Sequence, residues 1–192
     1  MKILIASQNQ HKIQEISSFL GKSFELISLK DLGISEDIPE TGNTLEENSL
    51  LKAQFLAEKF QVPCLADDSG LEVEALNGEP GVFSARYAGE PKVDQKNIEL
   101  LWKNLQDKSN KKARFVTILT FFYQAQFYQF EGEVQGNIIM EKKGKNGFGY
   151  DPIFVPEGYS QTFAEMSLEE KNQLAHRAKA LEKFKQFLLS LE

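Results

Sequence analysis

Apolar residues along this chain fall into two kinds of run. Short unbroken stretches, Lys2–Ala6 and Val62–Ala66, read as buried strands, and Phe24–Ser28 as a further strand. Between them Ile13, Ile16, Phe19 and Leu20 recur at helical spacing and predict a helix from about His11 to Leu20. Thr44-Leu45-Glu46-Glu47 has the form of a capping box and opens a helix running to about Phe60. After Gly70, Leu71–Ala75 reads as extended, and Asp94 as the cap of a helix ending near Leu105. Arg114–Tyr123 and Phe127–Gln135, joined by a short polar turn, predict an antiparallel hairpin. Ser167-Leu168-Glu169-Glu170 is a second capping box, and Leu174, Ala178, Leu181, Phe184 and Leu188 continue a helical pattern toward the C-terminus.

Three segments interrupt this order. Leu32–Asn43 is polar with Gly33, Pro39 and Gly42, Asn77–Pro91 is rich in Gly and Pro, and Lys142–Pro152 is glycine-rich. All three read as loops, and loops as long as the second are usually functional or disordered; Phe83 and Tyr87 speak against disorder there. Helices alternating with strands, plus one hairpin, predict an α/β fold with a mixed central sheet and flanking helices. The chain of 192 residues is expected to form one domain, 1–192.

Composition narrows the function classes. The net charge of −6 excludes bulk electrostatic binding to nucleic acid or to an anionic membrane, leaving a polyanionic ligand possible at a locally basic pocket. A single cysteine, Cys64, allows no intramolecular disulfide and suits a reducing, cytoplasmic compartment. No apolar stretch is long enough to span a bilayer, and the short Lys2–Ala6 run is not a leader sequence.

The candidate chemistry begins where the Val62–Ala66 run meets Asp67-Asp68-Ser69-Gly70. Two adjacent carboxylates beside a buried strand are costly to keep charged, and a divalent cation would offset that cost. Asp-Asp-Ser-Gly is equally an ordinary turn sequence, and the residues alone leave both readings open. Glu47 has a structural explanation in its capping box, whereas Glu40 in Pro-Glu-Thr-Gly has none beyond solvation. Mg2+ takes one or two carboxylates, so Glu40 with one of the Asp pair would suffice. Lys12, Lys52, Lys171 and Arg177 are the basic candidates, each taken singly as readily a solvated surface residue as an anion ligand. Lys12 stands near a helix N-terminus, where N–H groups favour phosphate. Gly147-Phe148-Gly149-Tyr150-Asp151-Pro152 could let backbone approach a ligand while Phe148 offers a face for base stacking, or could be a turn with core aromatics. His176 and Arg177 could donate to base carbonyl oxygens, but helical neighbours diverge by about 100°, so joint use requires irregular backbone. The apolar surroundings of Cys64 disfavour a nucleophilic thiolate, and no P-loop, Gly-x-Ser-x-Gly or zinc spacing is present.

Together, and in this order, these segments resemble the inosine/xanthosine triphosphate pyrophosphatase family. The matching stretches are Ile5–Lys12, Glu40-Thr41-Gly42 with Glu47-Asn48, Ala66–Leu71, Pro80–Tyr87, Gly147–Pro152 and His176-Arg177, spread over nearly the whole chain. The resemblance implies two lobes around a nucleotide cleft, a homodimer, and Mg2+-dependent hydrolysis of a nucleoside triphosphate to monophosphate and pyrophosphate. It assigns Ser7, Gln8, Asn9, Gln10, His11 and Lys12 to the phosphates, with Lys52 also binding substrate, Glu40 and Asp68 to Mg2+, and Asp68 with Asp67 to catalysis, Asp68 accepting the proton of the attacking water. Ser69 would touch substrate. Phe148, Gly149, Tyr150, Asp151 and Lys171 would form the base pocket, with His176 and Arg177 at the 6-oxo edge. Ser7 and Gln8 stand where the family commonly has Thr and Gly, and Ala175 where it has Ser. The rival expectations are a pyrophosphatase for modified pyrimidine nucleotides and a nucleotide-binding sensor without turnover.

Overall fold

Lys2–Ala6 forms β1, the strand around which the first half of the sheet is built, in a computed structural model that describes residues 1–21, 24–34 and 38–191. It pairs in parallel with β2 (Glu25–Ser28) on one side and β3 (Cys64–Val73) on the other. Parallel neighbours need crossover connections, and α1 (Gln10–Leu20) and α2 (Leu45–Phe60) supply them. β4 (Lys112–Tyr123) and β5 (Gln126–Ile138) make the hairpin, turning through Gln124 and Ala125, both at positive φ (47° and 62°). β6 (Phe154–Pro156) pairs antiparallel to β5, which completes a mixed six-stranded sheet in the order β2-β1-β3-β4-β5-β6. Three further helices are α3 (Asp94–Leu105), α4 (Leu168–Leu174) and α5 (His176–Leu189). Among the described residues no helix is long and apolar enough to cross a membrane.

The chain forms two compact units. One comprises Met1–Asp68, Thr117–Gly132 and Arg177–Glu192, the other Ser69–Val116 and Glu133–His176, so β3, β4 and β5 contribute residues to both. In the first unit, strand alternation sorts side chains to two faces. Ile3, Ile5 and Leu65 pack with Ile16 and Leu20 of α1 and Leu181 and Phe184 of α5, while Leu4, Ala6, Cys64 and Ala66 pack with Ala53, Leu56 and Ala57 of α2. In the second unit, Leu71, Val73, Phe115 and Ile138 gather with Ile98, Leu101 and Leu105 of α3 and with Phe154 and Phe163. Burial on both faces is why β1 and the start of β3 read as continuous apolar runs.

Several local expectations are corrected. The turn reading of Asp67–Gly70 is overturned, because β3 runs unbroken through it to Val73 and ladder pairing outcompetes the local turn. Glu74–Leu76 is then a 3-10 turn rather than extended chain, and the loop expected at 77–91 contains another at Gly81–Arg86. The first capping box is half-realised: the Thr44 hydroxyl accepts from the Glu47 N–H, but the Glu47 carboxylate accepts from Asn43 rather than Thr44. The second is complete at Ser167 and Glu170. Asp94 is not the cap of α3 but its first residue, and Val93 before it makes no side-chain cap bond. The C-terminal helix is interrupted at Ala175, extended at ψ 156° between α4 and α5. Residues 35–37 of the loop expected at Leu32–Asn43 lie outside the described residues.

Candidate active site

The alternation of β3 separates the adjacent carboxylates. Asp67 follows Leu65 onto the α1/α5 face, and Asp68 follows Ala66 onto the α2 face. On its face Asp67 is buried between two cations: Oδ1 accepts from Lys12 Nζ at 2.5 Å and Oδ2 from Arg177 Nε at 2.7 Å. Burial alone would raise the Asp67 pKa, but Arg177 and Lys12 outweigh it and hold the carboxyl well below its usual range. Arg177 also donates through Nη1 to Glu15 of α1, and both residues are buried. Burial opposes the Arg177 charge, yet Asp67 and Glu15 more than offset it, so the guanidinium stays charged.

On the other face one ammonium gathers two carboxylates. Lys52 Nζ donates to Asp68 Oδ1 at 2.6 Å, to Glu40 Oε1 at 3.1 Å and to the Asp67 carbonyl at 2.7 Å. Burial lowers the Lys52 pKa less than Asp68 and Glu40 raise it. For Asp68 burial dominates and pushes the carboxyl above its usual value, with Lys52 and Lys12 offsetting part of the shift. Two carboxylates within reach of one cation are the oxygen donor set that suits Mg2+, the other positions falling to water and substrate phosphate. Among the described residues no group of three or more His, Cys, Asp or Glu side chains is gathered around a metal position.

The segment before α1 is ordered by its own side chains. The Ser7 hydroxyl accepts from the Asn9 N–H, and Asn9 Oδ1 accepts from the His11 and Lys12 N–H groups. Gln8, Asn9, Gln10 and His11 are exposed, while Ser7 and Lys12 are half-buried. Two of the N–H groups expected to meet phosphate are thus engaged by the helix cap.

In the second unit, Asp151 and Lys171 form a buried pair, Lys171 Nζ to Asp151 Oδ2 at 2.9 Å. The same oxygen accepts the Phe148 N–H at 2.9 Å, and Lys171 Nζ lies 5.5 Å from the Phe148 ring centroid. Gly147 has φ 74°, and a Cβ there would stand 2.1 Å from Asp151 Oδ2, so only glycine allows this approach. Tyr150 is buried with its hydroxyl donated to the Ser84 carbonyl, and burial raises its pKa. His176 is buried with its ring stacked on Phe115, centroids 4.7 Å apart. Gly149 and Ser69 are half-buried.

The sequence model of the Ham1 family matches residues 3–187. This chain belongs to the Ham1 family. It is 52% identical over 180 residues to the dITP/XTP pyrophosphatase of Flavobacterium psychrophilum, covering 94% of this chain and 95% of that one. With the dITP/XTP pyrophosphatase of Flavobacterium johnsoniae it shares 50% identity over 182 residues, 95% of each. Its structure is similar to that of the Staphylococcus aureus Ham1 protein, with a TM-score of 0.90, 41% identity and 100% of each chain covered.

Two residues that brace this candidate site are not among those singled out from the sequence. Glu15 is absent from the candidates above, although its spacing three residues after Lys12 places both on one side of α1. Asn48, noted above as part of a matching motif, was given no role; its buried Oδ1 accepts the Gly42 N–H at 2.7 Å. That bond pins the segment bearing Glu40 to α2 one turn before Lys52. Gly42 packs so closely that a Cβ would lie 2.7 Å from the Glu47 Cβ.

Proposed function

We propose that this chain hydrolyses ITP, dITP and XTP to the nucleoside monophosphate and pyrophosphate, removing deaminated purines from the nucleotide pool. The observation that carries the reading is the convergence of Glu40 and Asp68 on Lys52 in a chain about half identical to dITP/XTP pyrophosphatases over nearly its full length. In this reading Glu40 and Asp68 hold Mg2+, which supplies charge neutralisation for the triphosphate and alignment of the attacked phosphorus. Lys12 and Lys52 face the phosphates, with Ser7–His11 and Ser69 alongside. Asp68, its pKa raised by burial, accepts the proton of the attacking water. Asp67 orients Lys12 rather than taking a proton, because two cations hold it ionised.

Phe148 takes the purine face in this reading, with Gly149, Tyr150, Asp151, Lys171 and His176 completing the base pocket, while Arg177 stays with Asp67 and Glu15 in the first unit. Donors to the 6-oxo group reject adenine, whose exocyclic amine would leave them unpartnered. A preference of about 10³-fold corresponds to roughly 4 kcal/mol, within reach of two or three such hydrogen bonds. We read residues 1–192 as one catalytic domain, assembled as a homodimer and resident in the cytoplasm.

The test is incubation of the purified protein with Mg2+ and ITP, XTP, dITP, ATP or GTP, separating pyrophosphate from orthophosphate. Pyrophosphate from the 6-oxo set, with ATP and GTP nearly inert, is the expected result. Orthophosphate as product, or no product from any nucleotide that binds, would overturn it.

A further inference from the structure

We propose that Asp94, in the first turn of α3, is a positioning residue that sets the Phe148 ring for the base. The inference rests on the reading of Phe148 as the stacking platform. The carboxylate of Asp94 does not cap its own helix; its Oδ2 accepts the Gly149 N–H at 2.7 Å, 55 residues along the chain. Asp151 Oδ2 accepts the neighbouring Phe148 N–H at 2.9 Å. Consecutive backbone donors at the aromatic residue are therefore each held by a carboxylate, one from either side in sequence.

The loop has need of such anchors. Gly147 and Gly149 both sit at positive φ, 74° and 59°, so Phe148 is flanked by the two residues with the greatest backbone freedom. Between Asn146 and Tyr150 the chain belongs to no helix or strand, and no ladder fixes its direction. α3 itself is firmly seated. Asn97, one turn after Asp94, uses both ends of its buried amide, accepting from Ala88 N–H at 2.8 Å and donating to the Ala85 carbonyl at 3.0 Å. Ile98, Leu101 and Leu105 of the same helix are core residues. Asp94 thus transfers the rigidity of a packed helix to a glycine-flanked loop. It is exposed, so replacing it leaves the core intact.

The test is a double-mutant cycle read in steady-state kinetics with ITP. Asp94→Ala is expected to raise KM about tenfold while kcat changes less than about twofold, the pattern of lost uniform binding. Asp94→Asn keeps an oxygen acceptor for Gly149 and is expected to return KM most of the way to wild type. In a Phe148→Ala background, Asp94→Ala is expected to add little further, because its effect runs through that ring. Unchanged Tm in Asp94→Ala separates positioning from folding. If Phe148→Ala raises KM but Asp94→Ala leaves it unchanged, or multiplies it equally in both backgrounds, the role of Asp94 is overturned. If Phe148→Ala itself leaves KM unchanged, the stacking reading falls first and the Asp94 role with it.

Discussion

Asp67 and Asp68 share a peptide bond but not an environment. The pleat turns Asp67 toward Lys12 and Arg177 and Asp68 toward Lys52 and Glu40. Burial pushes both carboxyls up, but Arg177 and Lys12 outweigh it at Asp67 whereas Lys52 and Lys12 offset only part of it at Asp68, and opposite shifts of this kind are the usual basis for assigning a permanently charged group and a proton acceptor. Asp68→Asn keeps the shape but removes the acceptor. It is expected to cut kcat by about 10²–10⁴-fold, with ITP affinity in a binding titration within a few-fold of wild type. Equal loss of both would make Asp68 a structural residue. Arg177 invites a stability measurement instead. Its removal as Arg177→Met leaves the buried Asp67 and Glu15 facing each other without their shared cation, and breaking such a pair costs about 3–5 kcal/mol. Urea unfolding should show that loss; a midpoint near wild type would mean that Lys12 alone compensates.

At the scale of elements, the loop that carries Phe148 depends on glycine for two separable reasons. Gly147 and Gly158 both have positive φ, 74° and 82°. A Cβ at Gly158 meets nothing within 4 Å, whereas one at Gly147 strikes the Asp151 carboxylate. Alanine at either position should cost about 1–2 kcal/mol of backbone strain. Gly147→Ala should in addition raise the KM for ITP, because it displaces Asp151 from the Phe148 N–H and from Lys171, while Gly158→Ala leaves KM unchanged. Matching kinetics in the two variants would detach Asp151 from the binding of the base. Elements of this size were legible in the sequence wherever the cause is local: α1, α2, the hairpin and the Ser167 capping box all follow from periodicity and cap chemistry. What was misread depends on distant partners. Asp67–Gly70 has turn chemistry, but the pairing of β3 in the sheet decides its conformation. Asp94 has the look of a helix cap, yet its partner is Gly149. The break at Ala175 falls on the strongest helix former, so composition gives no sign of it; it lies before His176, and His176 and Arg177 follow one another inside α5 with partners of their own, Phe115 for the imidazole and Asp67 with Glu15 for the guanidinium.

For the molecule as a whole, the balance of charge in the first unit determines whether folding depends on the metal. The ion pairs of Lys12, Lys52 and Arg177 set three cations against four carboxylates, Glu15, Glu40, Asp67 and Asp68. Each carboxylate already has a cation of the chain beside it, so metal-free protein strands no buried charge. Metals that are needed for folding leave an unfolded chain when removed, and this cluster predicts the opposite. EDTA should abolish turnover while moving Tm by less than about 2 °C, since a weak ligand well below saturation stabilises little by linkage. A triphosphate brings about four negative charges, which the excess carboxylate repels unless a divalent ion enters with it. Mg2+ and nucleotide together are therefore expected to raise Tm clearly more than the sum of their separate effects, measured on the unaltered chain with a non-hydrolysable α,β-methylene analogue of ITP so that the ligand persists. A large fall in Tm with EDTA alone would show that Lys52 does not compensate Glu40 and Asp68. A full Tm rise with ITP in EDTA would show that the lysines bind the phosphates without the metal.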